Sequence, residues 1–105
     1  MTNYILLYSG GGMPENPAEQ AKVLKEWEAW YGKLGSAVVD AGDPFSGKAK
    51  TVTADGKLSD GPVGTPATGY SIVKADSLDA AAGMAKSCPI LKSGGKISVY
   101  ETMKM

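Results

Sequence analysis

A chain of 105 residues has room for one hydrophobic core, so a single domain spanning residues 1–105 is expected. Eleven basic and eleven acidic residues cancel, which removes the electrostatic footprint that nucleic acid or an anionic membrane surface would demand. There is no histidine; histidine-dependent triads, imidazole bases and most zinc sites are thereby excluded, and neither a metal nor a cofactor is expected.

The chain opens with the apolar run Tyr4 to Ser9, closed by Gly10, Gly11 and Gly12. This pattern predicts a strand and a turn, and the run is too short and lacks the basic flank for a signal peptide or membrane span. Together with the lone Cys88, which cannot form an intrachain disulfide, this points to a cytoplasmic protein. A helix start follows. Asn16 suits the N-cap, Pro17 the first helical position and Glu19 the third, where it completes a capping box. Leu24, Trp27, Trp30 or Tyr31, and Leu34 recur at helical spacing, the lysines and glutamates take the other face, and Gly35 closes the helix.

Ser36 to Ala41 reads as a second strand. From there to Thr68 the sequence is rich in Gly, Pro, Asp, Ser and Thr, and Asp55-Gly56 predicts a tight hairpin within a small excursion over Lys50 to Asp60. Thr68 to Ala75 is a third main strand. Asp76 or Ser77 caps a second helix carrying Leu78, Ala81, Ala82, Met84 and Ala85, Pro89 stops it, and Lys96 to Thr102 is the last strand.

The order βαββαβ predicts a ferredoxin-like α+β sandwich with an extra hairpin and both helices on one face of an antiparallel sheet. Such a sheet should alternate apolar and polar residues, because one face meets water. These strands do not alternate. With Ile5, Leu7, Val73, Ile97 and Val99 set toward the helices, the opposite face carries Tyr4, Leu6, Tyr8, Tyr70, Ile72 and Tyr100. A surface of that kind calls for a cover, which we expect to be a second copy packing sheet to sheet, a small-molecule ligand, or both.

The stretch Gly42 to Ala49, GDPFSGKA, matches a phosphate-binding loop except at its last position. A phosphate loop must lead into a helix, but here alternating β-branched residues and a hairpin turn follow, and Ala49 replaces the magnesium-ligating hydroxyl; the match is coincidental. The glycine run at 10–12 carries only a weak anion signal, with Met13 to Asn16 between it and the helix. Asp40 and Asp43 in DAGDP are the candidate catalytic acid and base, since two neighbouring carboxylates push one pKa upward. The plainer account makes Asp43 a turn initiator before Pro44 and Asp40 a solvated strand end. Tyr4, Tyr8, Tyr70 and Tyr100 are candidate substrate-binding residues: their rings suit a planar ligand and their hydroxyls need partners once buried. A homodimer seam would use them equally well. Trp27 and Trp30 read as helix core or dimer contacts, and Cys88, in the last turn of its helix, as a small buried residue.

Asp60-Gly61-Pro62, Gly69-Tyr70, the stretch Ala75-Asp76-Ser77-Leu78-Asp79 with Ala81, Cys88-Pro89 and the end strand Gly95 to Glu101 resemble the YCII-related, or DGPF-motif, family over nearly the whole chain. The resemblance implies a dimeric α/β barrel in which two ferredoxin-like sheets face one another around a cavity. It also implies kinship with small-molecule isomerases, lyases and oxygenases that often use no metal. Val63 stands where the family motif has Phe, and the His of a proposed His–Asp pair in some members has no counterpart here. Three readings are therefore expected as alternatives: a lyase or isomerase acting by proton transfer in a cavity of the homodimer, a non-catalytic small-molecule-binding or regulatory dimer, or a purely structural dimer whose aromatic face is filled by its twin.

Overall fold

A computed structural model describes residues 1–104. Its elements are β1 (Thr2–Ser9), α1 (Pro17–Leu34), a 3₁₀ turn (Gly35–Ala37), β2 (Val38–Asp40), β3 (Lys50–Val52), β4 (Leu58–Asp60), β5 (Ala67–Ala75), α2 (Leu78–Ala85), a second 3₁₀ turn (Pro89–Ser93) and β6 (Lys96–Glu101). The fold is α+β: a four-stranded antiparallel sheet in the order β2-β5-β1-β6, with a separate two-stranded hairpin of β3 and β4.

Local chemistry sets the element ends. The Asn16 Oδ1 accepts from the backbone N–H of Ala18 at 2.8 Å and of Glu19 at 3.4 Å, and Pro17 takes the first helical position, where no donor is needed. Glu19 does not complete the expected box; the Gln20 side chain instead reaches back and donates to the Pro14 carbonyl at 2.7 Å. Gly35, at φ 56°, ends α1. The second strand is shorter than Ser36 to Ala41 because the chain spends Gly35–Ala37 on a 3₁₀ turn first. Ser77 caps α2 by accepting from the Ala80 N–H at 3.1 Å. The Asp55-Gly56 hairpin forms as expected, its exposed Lys50–Asp60 ion pair at 2.9 Å adding little.

The sheet register corrects the predicted faces. Tyr4 lies opposite Val73, Leu6 opposite Ser71 and Val99, and Tyr8 opposite Gly69 and Ile97. Directly opposed residues share a face. The buried cluster under the helices accordingly contains Tyr4, Leu6, Tyr8, Val73 and Ala75 with Trp30, Ala81, Ala85, Cys88 and Ile90, and Ile97 and Val99 pack against it. Ile5 and Leu7 share the other face with Tyr70, Ile72 and Tyr100. Tyr4 and Tyr8, expected beside Tyr70 and Tyr100, thus lie on the opposite side of the sheet from them. The cause is hydrogen-bond satisfaction: the Tyr8 hydroxyl donates to the fully buried Ser71 Oγ at 2.7 Å, a partner that neither Ile5 nor Leu7 has any use for.

The helix side is sealed by aromatic packing. Trp27 meets Tyr8 edge to face at 5.4 Å and Trp30 at 5.7 Å, and the Trp30 indole N–H donates to the Met84 carbonyl at 3.1 Å, tying α1 to α2. The open side keeps an apolar surface made of Ile5, Leu7, Ile72 and Tyr100, with Phe45 of the loop after β2 stacked on Tyr70 at one end. With principal extents of 44 × 39 × 18 Å, the molecule is one helix layer on one sheet.

Leu6 is fully buried, whereas Leu24 is 53% exposed despite its place in the apolar periodicity. Leu6→Ala should therefore lower unfolding free energy by about 2–5 kcal/mol, while Leu24→Ala stays within about 0.5 kcal/mol of the parent. Urea denaturation measures both; equal effects would mean that β1 is set in the other phase.

Candidate functional site

Below the C-terminal end of β1, α1 and the loop from Asp40 to Phe45 enclose a cavity of about 530 Å³. Its aromatic lining comes from Tyr8, Trp27, Tyr31, Phe45 and Tyr70, and Asp43 is the only carboxylate among its lining residues. That volume lies in the range of small-molecule sites.

Two backbone constraints shape it. Gly42, at φ 74°, crosses directly over β5: a Cβ there would lie 1.9 Å from the Tyr70 carbonyl oxygen. No other residue fits. The loop is then stitched to β5 by the Phe45 N–H, which donates to the Thr68 carbonyl at 2.9 Å, and by a bridge between Pro44 and Gly69. On the opposite wall Gly11, at φ 72°, packs against Ile90 so closely that a Cβ would come 2.7 Å from its Cγ1.

Behind the lining residues Tyr8, Tyr31 and Ala41 lies a cluster of hydroxyls centred on the buried Ser71. Ser71 Oγ accepts from Tyr8 and donates to the Ala41 carbonyl at 2.7 Å, while the Tyr31 hydroxyl lies 2.9 Å from Ser71 Oγ and 3.1 Å from the same carbonyl. Burial pushes the Tyr8 phenol far above its ordinary range, so it stays protonated and serves as a donor.

The predicted site residues separate. Asp43 lines the cavity and Asp40 does not. One Asp40 oxygen accepts from the Gly42 N–H at 2.8 Å and the other from the Tyr70 hydroxyl at 3.3 Å, so its carboxylate fastens the loop. Nearby charge on Asp40, then burial, then Asp43, raise the Tyr70 phenol above its usual value. Tyr8 and Tyr70 reach the cavity from different faces of the sheet. Tyr4 does not reach it; its ring is in the core, and burial, followed by the Glu101 carboxylate, holds its phenol up. Tyr100 is 55% exposed on the open face and is also absent from the lining.

The periodicity of α1 put Trp27, and Trp30 or Tyr31, on its apolar face: Trp30 is buried in the core, while Trp27 and Tyr31 are half-buried against it and form the cavity wall as well. Phe45 stacks on Tyr70 with ring centres 6.0 Å apart. A solitary large apolar residue inside a Gly/Pro loop is the signal that would have singled it out. Gly10 to Gly12 line the cavity, while the α1 terminus nearby is already capped by Asn16, so the glycine run is wall rather than phosphate cradle. No helix follows Gly47-Lys48: β3 begins at Lys50. Cys88 lies beyond the end of α2, not in its last turn; it precedes the second 3₁₀ turn, where burial pushes its thiol up to about 11, which keeps it an unreactive thiol near neutrality. Among the described residues no group of three or more His, Cys, Asp or Glu is placed to hold a metal, and no helix is long and apolar enough to cross a membrane. Comparison with protein-family models gives no match, and comparison with curated proteins gives none.

The hydroxyl cluster predicts a coupled pair. Ser71→Ala leaves the buried Tyr8 hydroxyl without its acceptor and should cost about 1–3 kcal/mol. Adding Tyr8→Phe removes the stranded group, so the double variant should be less destabilised than the sum of the single changes, by about 0.5–3 kcal/mol in a double-mutant cycle. Strict additivity would mean that the two hydroxyls act separately.

Proposed function

We propose that this chain is a small-molecule-binding protein that works as a homodimer, with its ligand held between α1 and the Asp40–Phe45 loop. One observation carries this reading: the large apolar side chains Met13, Leu24 and Phe45 are all exposed, and all three converge on the rim of one concavity. Scattered exposed apolar residues are ordinary, but a convergent set around a pocket of ligand size suits an occupant.

The strand order and the two split strand–helix–strand connections support a ferredoxin-like sandwich. The uncovered apolar face of Ile5, Leu7, Ile72 and Tyr100 supports pairing of two sheets. Both agree with what the resemblance to YCII-related proteins implies, a dimeric α/β barrel.

Within this reading Asp43 supports a proton-transfer lyase or isomerase, since it is a lining residue that carries a carboxylate and Tyr70, whose phenol is protonated, lines the same cavity. A non-catalytic sensor or regulatory dimer is supported by the engagement of the other polar groups. Asp40 is spent on Gly42 and Tyr70, and Tyr8 and Tyr31 on Ser71 and Ala41, which leaves Asp43 without a dedicated partner acid. Asp43→Asn separates the two at ligand concentrations that restore occupancy: an enzyme then loses turnover, and a sensor keeps its biological effect.

Native mass spectrometry of protein purified from its own cells should detect a retained small molecule that is lost from Leu24→Trp, a change at an exposed rim position that fills the mouth without disturbing the core. An empty wild-type protein under those conditions would speak against the ligand. For the assembly, Ile72→Asp should convert dimers to folded monomers in sedimentation analysis; a wild-type monomer would defeat the dimer outright.

A further inference from the structure

The cavity has a charge character that its volume alone does not convey. No lysine is among its lining residues, and all eleven basic residues of the chain are lysines, with no arginine or histidine anywhere. An anionic ligand would enter without a counter-charge, and burying an unpaired anion is costly. Asp43, by contrast, forms no ion pair or side-chain hydrogen bond among the described residues, although Lys50, Lys57 and Lys92 elsewhere are all paired with acids. A second carboxylate, Asp40, accepts from the hydroxyl of Tyr70, another lining residue.

The walls have the same preference. Trp27 with Tyr8 and Tyr31 forms one aromatic wall, at centroid distances of 5.4 and 5.9 Å, and Phe45 stacked on Tyr70 forms another. Ring faces are negative and attract ammonium groups, most strongly where Trp contributes and water is displaced. Aromatic walls, an unpaired carboxylate and the absence of any basic lining residue together specify one ligand chemistry. We infer that the cavity selects a cation with apolar bulk: an aromatic or aliphatic amine, or a quaternary ammonium compound. This inference rests on the cavity being the ligand site.

Three probes of similar size separate its failure from the failure of that reading. At neutral pH 2-phenylethylamine is cationic, 2-phenylethanol neutral and phenylacetate anionic. In NMR titrations of isotope-labelled protein, with amides of Gly10 to Gly12 and Gly69 as reporters at the cavity wall, the amine should bind about five- to tenfold more tightly than the alcohol, and phenylacetate most weakly. Asp43→Asn should bring the amine close to the alcohol, leaving the alcohol unchanged, and added salt should weaken the amine alone. An alcohol that binds as tightly as the amine, with the same reporters shifting, overturns the charge preference and leaves the cavity as the ligand site. Tighter binding of phenylacetate overturns it too and would assign the glycine-run amides as an anion site. Absence of saturable shifts with all three probes overturns both the preference and the site.

Discussion

One buried hydroxyl, that of Ser71, holds four parts of the chain in register. It belongs to β5, accepts from Tyr8 of β1, lies beside Tyr31 of α1 and donates to the Ala41 carbonyl at the start of the loop after β2. The buried hydroxyls of Ser71 and Tyr8 must find partners, and at this point they find each other, with the half-buried Tyr31 and the exposed Ala41 closing the cluster. The angle at which α1 crosses the sheet end and the height at which the Asp40–Phe45 loop passes over β5 therefore follow from one polar contact. Apolar packing alone would allow β1 to sit in either phase; the hydroxyl cluster allows one.

That contact also explains which parts of the fold could be read from residues and which could not. The caps at Asn16 and Ser77, the stop at Gly35 and the Asp55-Gly56 hairpin are local chemistry, written within a few residues of where they act. The phase of β1 is not local. Tyr4 to Tyr8 is apolar throughout, so period-two alternation has nothing to register, and choosing Ile5 and Leu7 for the core follows hydrophobicity while ignoring the tyrosine hydroxyls. Ser71 in the middle of TGYSIVKA was the available clue: a small hydroxyl set among Tyr70, Ile72 and Val73, whose partner had to come from another strand. Gly69 instead marks where the loop crosses β5, since a Cβ there would stand 3.3 Å from the Asp43 carbonyl oxygen and from the Pro44 Cα.

The cavity was legible in fragments. Asp43 and Tyr70 were singled out on chemical grounds and both line it, but the residues that enclose it, Trp27, Tyr31 and Phe45, lie on α1 and the loop and come together only through tertiary contacts. Leu24 shows why periodicity misled: Trp27, a turn along the same helix, packs against the core, while the exposed leucine lies on the rim of the cavity. Asp40 and Asp43 are three residues apart and chemically alike, yet on either side of the positive-φ turn at Gly42 one carboxylate is tied to the loop's own backbone while the other residue lines the cavity.

Tyr70 joins the two apolar features of the molecule. Its side chain belongs to the uncovered sheet face with Ile5, Leu7 and Ile72, yet its ring stacks on Phe45, its hydroxyl donates to Asp40 and its carbonyl lies directly beneath Gly42. A second copy laid on that sheet would press on the same tyrosine that positions the cavity loop. Desolvating the Tyr70–Asp40 contact would strengthen the hydrogen bond, because a neutral phenol donating to a carboxylate gains most where water is excluded. The loop carrying Asp43 would then be held more firmly in the assembled protein than in the isolated subunit. Sheet pairing and ligand binding, argued above from separate surfaces, meet at this one side chain, so a change at Tyr70 should disturb both while a change at Tyr100, remote from the loop, should disturb pairing alone.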